Sequence, residues 1–583
     1  MKLASLIVVA WCGSHAIAYQ VDGRTWSTTS PHRYSTSPPR VTPLPSIKAL
    51  HLRGGSTSVL ETAANIFTDI VPAGMLPIAS GLAIASNSLP TKAARTVAVG
   101  IIVFFSVVAH RTLVLIAEAI EASGVEPSLS GVWESSPVLG GVKTVWLVDA
   151  SIALLTFGCC LYYMCFIGDL LSAAAAGMLP SSSRSSSGVC IDQTTQMPWT
   201  RRRSTHIVAA SVGVLLPLCL LRDLSLLAPF SFVGVAACAY CTAFIDKRAM
   251  DGSYADGGRY DRYLRDEGHA TGLRQRPHGP WALRKELPLI NIISVAFLAH
   301  YNGHAYYAAL RDRSVARFSN AASIALAGAV AVYTCAGLAG HACFGEASDC
   351  MALNNYARAD PAAAAARLAM GVSLLASFPL MFSGLRSSLL ALARAAGLGS
   401  DATLASTAVH RGIVSIGLTA IAACAVATPD ISLIVSLLGA ALGSILIYSL
   451  PPTLHLLAGA TPLASLAGVA DVVLVLFGLV LAVLGTYTAL SSHASTALDT
   501  GSPLPVWARR AIQRLANPGP LHQLSGRLVK RWRATEVVFP ASLSREARGQ
   551  VHAIAHEHRL VHQTKGGEDA RFIVVSAPRT ARA

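Results

Sequence analysis

Four residues that a plain membrane helix does not need lie together in an apolar stretch near the start of the chain. The stretch NIFTDIVPAGMLPIASG, residues 65–81, contains Asp69, Pro72, Gly74 and Pro77. Proline removes a backbone donor and glycine adopts non-helical angles, so the part from Pro72 to Pro77 is predicted to unwind. Unpaired backbone groups at membrane depth are tolerated where they face a cavity or a ligand. Such a stretch can hold a zwitterion, and a simple proline kink is the alternative interpretation.

A second polar interruption occurs further along the chain. If the first break belongs to one half of an inverted repeat, a matching break is expected about five helices later. The apolar segment IISVAFLAHYNGHAYYAALRDRSVARF contains a polar, glycine-bearing run at that place: His300, Tyr301, Asn302, Gly303 and His304. Polar groups at membrane depth are costly and usually face a pathway, so this run is predicted to be the second break.

The composition indicates an integral, all-α polytopic membrane protein that carries both breaks. Of the 583 residues, 53% are hydrophobic and 13% are charged, and the net charge is +15. About eleven apolar stretches of roughly 20 residues each are expected to be spanning helices, because lipid offers no other partner to their backbone. Besides the opening stretch, the predicted spans are Val97–Ala117, Val145–Leu171, His206–Leu221, Ala228–Ile245, Pro288–Tyr307, Ala322–Phe344, Ala366–Leu385, Gly412–Val426, Ile431–Leu450 and Leu466–Leu490.

From about Ser58 to about Ser492 the chain resembles the amino acid/auxin permease family, which includes sodium-coupled neutral amino acid transporters and vacuolar amino acid exporters. Seven segments carry the resemblance in the right order: AGMLPIASG, LTFGCCLYYMCFIGDLL, LPLCLLRDLSLLAPFSFVG, FLAHYNGHAYYAALRDRS, YTCAGLAGHACFG, FPLMFSGLRSSL and PDISLIVSLLGAALGSILIYSLPP. The resemblance implies a LeuT-like inverted-repeat fold with eleven spans, of which the first ten form two inverted halves.

The resemblance also implies where substrate binds, namely between the unwound parts of spans one and six. The residues implied to contact substrate through their backbone are Ala73, Gly74 and Met75. Those implied to form the facing wall are Phe297, His300, Tyr301 and Asn302.

Departures from the family pattern concern the coupling ion. In sodium-coupled members an asparagine of span one helps to ligate sodium, and the corresponding residue here is Thr68, with Ser377 as the nearest hydroxyl of span eight. Pro72 replaces the first glycine of the usual break, and Ala309 replaces a glutamate that often follows in span six. Asp69 is a candidate proton carrier, because an ionised group is costly at membrane depth; a helix-end residue at the interface is the alternative.

The amino-terminal segment has the features of a targeting sequence. Residues 1–18 have one lysine, a short apolar core and a small-x-small ending, which is typical of a signal peptide. Residues 19–57 are rich in Ser, Thr, Pro and Arg and are expected to be disordered. Together they resemble the bipartite plastid presequence of algae with secondary plastids, and a plain signal peptide with a flexible arm is the alternative. A plastid envelope, an endomembrane and the plasma membrane all remain candidate locations.

The carboxyl-terminal segment differs in composition. Residues 493–534 read as a basic linker. In residues 535–578 we expect a short strand, a helix from Ser544 to about Arg559, a Gly-Gly turn and a strand Arg571–Val575. This part resembles the Arg-x-x-x-His domain, a small α/β module that binds single-stranded nucleic acid.

The residues implied to contact RNA or DNA in that domain are Arg548, His552 and Arg571. A guanidinium can bind phosphate while an imidazole stacks on or hydrogen-bonds to a base. A basic tail held near anionic lipid and a wrongly joined gene are the alternatives.

The sequence therefore predicts secondary active transport of amino acids across a lipid bilayer by alternating access, driven by protons or sodium. No cofactor is expected, and no nucleophile, metal or phosphate-loop motif suggests an enzyme. The alternative from another class is a membrane-anchored sensor or tether that binds an amino acid without moving it and presents the nucleic-acid module.

Overall fold

The structure is a computed structural model. It describes residues 55–85, 91–139, 141–178, 203–221, 227–255, 257–260, 287–345, 348, 351–427, 436–500, 536–539, 561–565 and 572–576. The predicted signal peptide, most of the predicted disordered segment, and Arg548, His552 and Arg571 lie outside these residues, as does the predicted helix from Ser544 to Arg559.

The described residues between 55 and 500 are mainly helical. The α-helices are α1 Val59–Gly74, α2 Ile78–Ala85, α3 Thr91–Ser123, α4 Leu129–Glu134, α5 Val145–Met178, α6 Arg203–Ala210, α7 Leu216–Cys219, α8 Ala228–Asp251, α9 Leu287–Val295, α10 Gly303–Ala309, α11 Val315–Phe344, α12 Pro361–Ala395, α13 Asp401–Leu404, α14 Thr407–Ala427, α15 Leu450–Leu457 and α16 Leu466–Thr500. Short 3-10 helices are Gly141–Lys143, His300–Asn302 and Ala352–Asn355. Wider π-helical turns are Ser211–Leu215, Gly439–Gly443 and Ile445–Ser449.

The described helices confirm a polytopic helical membrane protein. Eight are long and apolar enough to cross a membrane, and there are nine if the bent pair α1 and α2 is one span. The two other predicted spans fall on a shorter apolar helix, Arg203–Cys219, and on the interrupted pair α9 and α10. The count of eleven therefore stays a prediction.

The start of span one lies beside the end of span six. Ser58 caps α1 in a reciprocal capping box: its hydroxyl accepts from the Glu61 N–H, and the Glu61 carboxylate accepts from the Ser58 N–H. One residue earlier, the Thr57 N–H donates to the Ala309 carbonyl at 3.0 Å, and the Arg311 N–H donates to the Thr57 carbonyl at 2.8 Å. The ends of the two interrupted spans are thus joined by backbone hydrogen bonds.

Helix α12 is the most central of the described helices. It packs along α5 and α8 and also contacts α1, while α1 is enclosed by α8, α11 and α12. By contrast, much of α16 faces outward: within its membrane stretch, Leu466–Leu490, only 22% is buried. The helices that carry the breaks therefore lie inside the bundle, where neighbouring side chains can reach their backbone.

The described residues after 500 form a three-stranded antiparallel sheet. Its strands are β1 Glu536–Phe539, β2 Val561–Lys565 and β3 Phe572–Ser576, in the order β1-β3-β2. Val574 in the central strand pairs with Val538 on one side and Gln563 on the other. Strand β3 lies one residue beyond the predicted Arg571–Val575, and β2 lies just before the predicted Gly-Gly turn. The structure describes only strands in this part of the chain, so the α/β domain stays a prediction.

A buried ion pair joins the loop before α12 to the end of α8. Asp360, fully buried, accepts from Arg248 Nη2 at 2.8 Å and Nε at 2.9 Å. The Tyr254 hydroxyl donates to the same carboxylate at 3.0 Å, and the Ala362 N–H at the start of α12 donates at 3.0 Å. The carboxylate is therefore both a helix cap and the partner of a cation.

We expect Arg248→Ala to lower the free energy of unfolding by about 3 kcal/mol, because it leaves the buried Asp360 carboxylate without its cation. Thermal unfolding of the full chain in detergent measures the change. The exposed Arg358 in the same loop provides a matched control, since Arg358→Ala should stay within about 0.5 kcal/mol of the parent. Equal effects of the two substitutions would contradict a structural role for the pair.

Candidate substrate and ion-coupling site

The break in span one is shorter than predicted and begins later. Helix α1 continues through Pro72 to Gly74, and the Met75 N–H still donates to the Val71 carbonyl at 3.0 Å. The chain leaves the helix at residues 75–77, and α2 follows at an angle of 49°. Pro77 has no N–H to donate back to the Ala73 carbonyl, which is why the helix stops here. Ala73 and Gly74 therefore lie in the last turn of α1, and only Met75 lies in the break itself.

The break in span six is longer than predicted. Helix α9 ends at Val295, residues 296–299 are irregular, and a 3-10 turn covers His300–Asn302. Gly303 and His304, predicted to belong to the break, instead begin α10. Phe297, His300, Tyr301 and Asn302 thus all lie in non-α-helical chain.

The two breaks lie against each other, with Tyr333 of α11 between them. Its hydroxyl is 2.9 Å from the Ile70 carbonyl of α1 and 2.7 Å from the Ala296 carbonyl in the second break. The Tyr333 ring also packs on Phe297, with ring centroids 5.3 Å apart. A methyl group on Gly74 would overlap the Tyr333 hydroxyl and would lie 3.1 Å from the Ala296 carbonyl oxygen. Only glycine allows this approach.

Asp69 connects the two breaks through its carboxylate. The side chain is buried, with 1% of Asp69 exposed. One oxygen, Oδ1, accepts from the Tyr301 hydroxyl, and the other, Oδ2, accepts from the Tyr306 hydroxyl at 2.8 Å. A carboxylate that accepts two phenol hydrogens is well satisfied without a cation beside it. This places Asp69 inside the bundle and not at the interface.

Three successive carbonyls of α1 accept hydroxyl groups from three other helices. The Thr68 carbonyl accepts from Ser377 of α12 at 2.5 Å, and the Asp69 carbonyl accepts from Tyr163 of α5 at 3.0 Å. The third, that of Ile70, is the one that Tyr333 reaches. The Thr68 carbonyl needs an outside donor, because Pro72, four residues later, has no N–H to supply.

Of the predicted ion-coupling residues, Ser377 and Thr68 are in direct contact, whereas the carboxylate of Asp69 bonds to Tyr301 and Tyr306. The Ser377 hydroxyl donates to the Thr68 carbonyl, and the Thr68 hydroxyl donates to the Ser231 carbonyl of α8 at 2.9 Å. Among the described residues, no group of three or more His, Cys, Asp or Glu side chains could hold a metal ion.

The polar residues of the predicted wall point to different helices. His300 Nε2 lies 2.8 Å from the Thr112 hydroxyl of α3 and 3.2 Å from the Ala109 carbonyl, while its Nδ1 is buried without a partner. The Asn302 amide donates to the Leu380 carbonyl of α12 at 2.7 Å. These side chains therefore tie the second break to α3 and α12, while Tyr301 ties it to α1.

Sequence reasoning missed Tyr163, Tyr306 and Tyr333. Each donates a hydroxyl at the breaks; Tyr163 and Tyr333 lie in helices that read as ordinary apolar spans, and Tyr306 lies just after the second break. The available signal was a phenol at membrane depth, which must find a partner when it is buried. The partner itself could not be read from spacing, because it lies on another helix.

A comparison with known protein families settles what kind of chain this is. Residues 55–491 of the 583 match the family described as transmembrane amino acid transporter protein. The chain belongs to this family. The match covers both breaks and Ser377 and ends before the carboxyl-terminal sheet.

Individual relatives of this family member are similar over part of their length. The sodium-coupled neutral amino acid transporter 7 of Bos taurus is 25% identical over 330 residues, which cover 56% of this chain and 63% of the relative. The same-named protein of Mus musculus is 25% identical over 327 residues, with the same coverage. Vacuolar amino acid transporter 2 of Saccharomyces cerevisiae is 24% identical over 322 residues, which cover 54% of this chain and 62% of the relative. The chain thus spans less than two thirds of each of these relatives.

Two solved transporter structures are similar at low identity. A nucleobase-cation-symport-1 family transporter in a closed conformation gives a TM-score of 0.43 at 11% identity, covering 77% of this chain and 94% of the other. A Na+-coupled sialic acid symporter gives 0.41 at 11% identity, covering 77% and 91%. Both scores are too low to establish a shared fold.

No comparison supports the predicted nucleic-acid module. The family match ends at residue 491, and Arg548, His552 and Arg571 lie outside the described residues. Binding of RNA or DNA stays a prediction from sequence.

We expect Gly74→Ala to reduce amino-acid uptake into proteoliposomes by about 100-fold, because the added methyl group forces the two breaks apart. The matched control is Gly100→Ala in α3, where an added methyl group meets nothing within 4 Å. That variant should transport normally. Normal uptake by Gly74→Ala would show that close approach of the breaks is unimportant.

A double-mutant cycle tests why Ser377 is needed. Ser377→Ala should lower the free energy of unfolding by about 1 to 2 kcal/mol, because the buried Thr68 carbonyl loses its donor. In a Pro72→Ala background the same substitution should cost less, since residue 72 then supplies an N–H to that carbonyl. An equal loss of unfolding free energy in the two backgrounds would contradict this explanation. Thermal unfolding of all four proteins provides the measurement.

Proposed function

We propose that this protein is a secondary active amino-acid transporter that works by alternating access and couples transport to protons through Asp69. The observation that carries the proposal is the Asp69 carboxylate, which accepts one hydroxyl from within the second break and one from α10, the helix that follows it. A single titratable group thereby connects the two interrupted spans.

The substrate assignment rests on main-chain chemistry and on the family. Interrupted helices present N–H groups to a carboxylate and carbonyl groups to an ammonium, which suits an amino acid. The segments proposed to contact it are the end of α1 with Met75 and the irregular chain from Phe297 to Asn302. The named relatives are a sodium-coupled neutral amino acid transporter and a vacuolar amino acid transporter. We extend amino-acid transport to this chain, together with the eleven-span inverted-repeat arrangement.

Proton coupling follows from what protonation does to the Asp69 hydrogen bonds. The carboxylate accepts from Tyr301 and Tyr306 at once. A protonated carboxyl has a donor on one oxygen and so binds two phenol donors less well. Protonation therefore weakens the connection between α1 and the second break, which lets the two spans separate.

Sodium is the less favoured driving ion. Thr68 stands where sodium-coupled members have an asparagine. The Thr68 carbonyl and the Ser377 hydroxyl are bonded to each other at 2.5 Å, so a sodium ion would have to separate them. The carboxylate of Asp69 needs no such rearrangement to receive a proton.

The test uses the purified full chain in proteoliposomes with labelled neutral amino acids, and imposes pH and sodium gradients separately. We expect accumulation under an inward proton gradient and none under a sodium gradient alone. Asp69→Asn should abolish proton-driven accumulation and retain exchange of labelled for unlabelled substrate, because an amide neither takes up nor releases a proton near neutral pH. Asp149→Asn is the matched control, since Asp149 is a buried acid that bonds Ser130 away from the breaks.

Other outcomes assign other functions. Accumulation under sodium alone, unchanged in Asp69→Asn, would replace proton coupling by sodium coupling at Thr68 and Ser377. Tight amino-acid binding without accumulation or exchange under either gradient would favour the membrane-anchored sensor.

A further inference from the structure

A second group of charged side chains, two of them buried and two partly exposed, lies away from the breaks, where α3, α15 and α16 meet. It consists of Arg111, Glu118, His455 and Asp471, and we call it the histidine cluster. His455 Nδ1 is 2.7 Å from Asp471 Oδ2, and His455 Nε2 is 3.3 Å from Glu118 Oε2. Arg111 Nη1 donates to Glu118 Oε1 at 2.9 Å. The side chains of His455 and Asp471 are only 4% and 3% exposed.

The geometry of the ring indicates its protonation state. A neutral imidazole has one N–H, so its other nitrogen would turn a lone pair toward a carboxylate oxygen. In His455 both nitrogens face carboxylates, and only the imidazolium can donate to both. With a proton on the ring the cluster contains two cations and two anions. Without it, one buried carboxylate, that of Asp471, has no cation beside it.

Asp471 is the one charged residue in the apolar stretch Leu466–Leu490 of α16. The stretch Leu466–Leu490 of α16 is the most apolar of the candidate spans, with a mean hydropathy of 2.7, and most of it faces outward. Two further attachments of this helix are uncharged: the Ser449 hydroxyl donates to the Val475 carbonyl at 2.9 Å, and the Phe477 ring packs against Phe105 and other rings. The charge on His455 therefore acts directly on how firmly α16 is held.

We propose that His455 is a proton-binding site, separate from Asp69, whose occupancy holds α16 against α3 and α15. Among the described residues, the charged groups that face the ring are Glu118 from α3 and Asp471 from α16, with Arg111 behind Glu118. The acidic residue of α4, Glu134, acts electrostatically on Asp149 of α5.

Protons can reach this site from the surface. The Glu118 and Arg111 side chains are 26% and 43% exposed. Helix α3 has 33 residues, so it is about 50 Å long and exceeds the hydrocarbon thickness of about 30 Å. Glu118 lies in the last two turns of this helix.

The direction of the pH effect follows from linkage. The attached state holds a proton that a detached α16 releases, so attachment strengthens as pH falls and weakens as pH rises. A comparison of pH 6 with pH 8.5 therefore tests the proposal, because histidine side chains in general change charge near neutral pH while carboxylates stay ionised.

The experiment measures the melting temperature of the full chain in detergent at pH 6 and pH 8.5. His455→Gln should melt about 3 °C below the parent protein at pH 6, and the gap should shrink at pH 8.5, because the attached state is the one that holds the proton. Ser449→Ala is the matched control: it weakens the same helix contact without a titrating group, so its shift should be equal at both values of pH.

A second pair of variants keeps the test decisive. In His455→Gln/Asp471→Asn two amides face each other without charge, so this protein should melt above His455→Gln at both values of pH. If His455→Gln cannot be purified, Asp471→Asn replaces it, because removing the anion also weakens proton binding by the ring. A gap from the parent that is the same at pH 6 and pH 8.5 would overturn the proposal. Because melting requires no transport, the result is independent of the proposed transport activity.

Discussion

A helix interrupted inside a membrane must find hydrogen-bond partners for the backbone groups that it frees, and this requirement organises the centre of the molecule. Water cannot supply the donors, so side chains from neighbouring helices do. Ser377, Tyr163 and Tyr333 each bring a hydroxyl to one of three consecutive carbonyls of α1. Two of the helices that carry these hydroxyls, α11 and α12, pack against α1, and the long side chain of Tyr163 reaches it from α5.

The same chemistry gives the site its ability to change. A hydrogen bond from a phenol to a backbone carbonyl does not change in the range where carboxylates titrate, whereas one from a phenol to a carboxylate weakens when the carboxylate is protonated. The hydrogen bonds of Tyr301 in the second break and of Tyr306 in α10 are of the latter kind, because both tyrosines bond to Asp69. The centre thus combines contacts to backbone carbonyls with contacts to one carboxylate, and the proposed proton coupling depends on the latter.

Much of this arrangement was predictable from sequence, because it depends on local chemistry. Long apolar stretches predicted the helices, and Pro77 and the run from His300 to Asn302 predicted where two of them are interrupted. Pro72 was expected to open the helix too, and it does not, since Ser377, far along the chain, supplies the missing donor. Partners of this kind, and the contact between His455 and Asp471, depend on which helix faces which. Periodicity within one helix contains no such information.

The π-helical turns of span ten have a consequence for insertions and deletions. Two of them, Gly439–Gly443 and Ile445–Ser449, follow each other just before the α-helix that carries His455. In an α-helix each residue advances the side-chain direction by about 100°. Deletion of a single residue from these wide turns would leave the following α-helix with its own residues unchanged. It would rotate that helix about its axis and so move the imidazole away from Asp471. The angular phase of the carboxyl-terminal half of this span is thus set by the ten residues of the two π-helical turns.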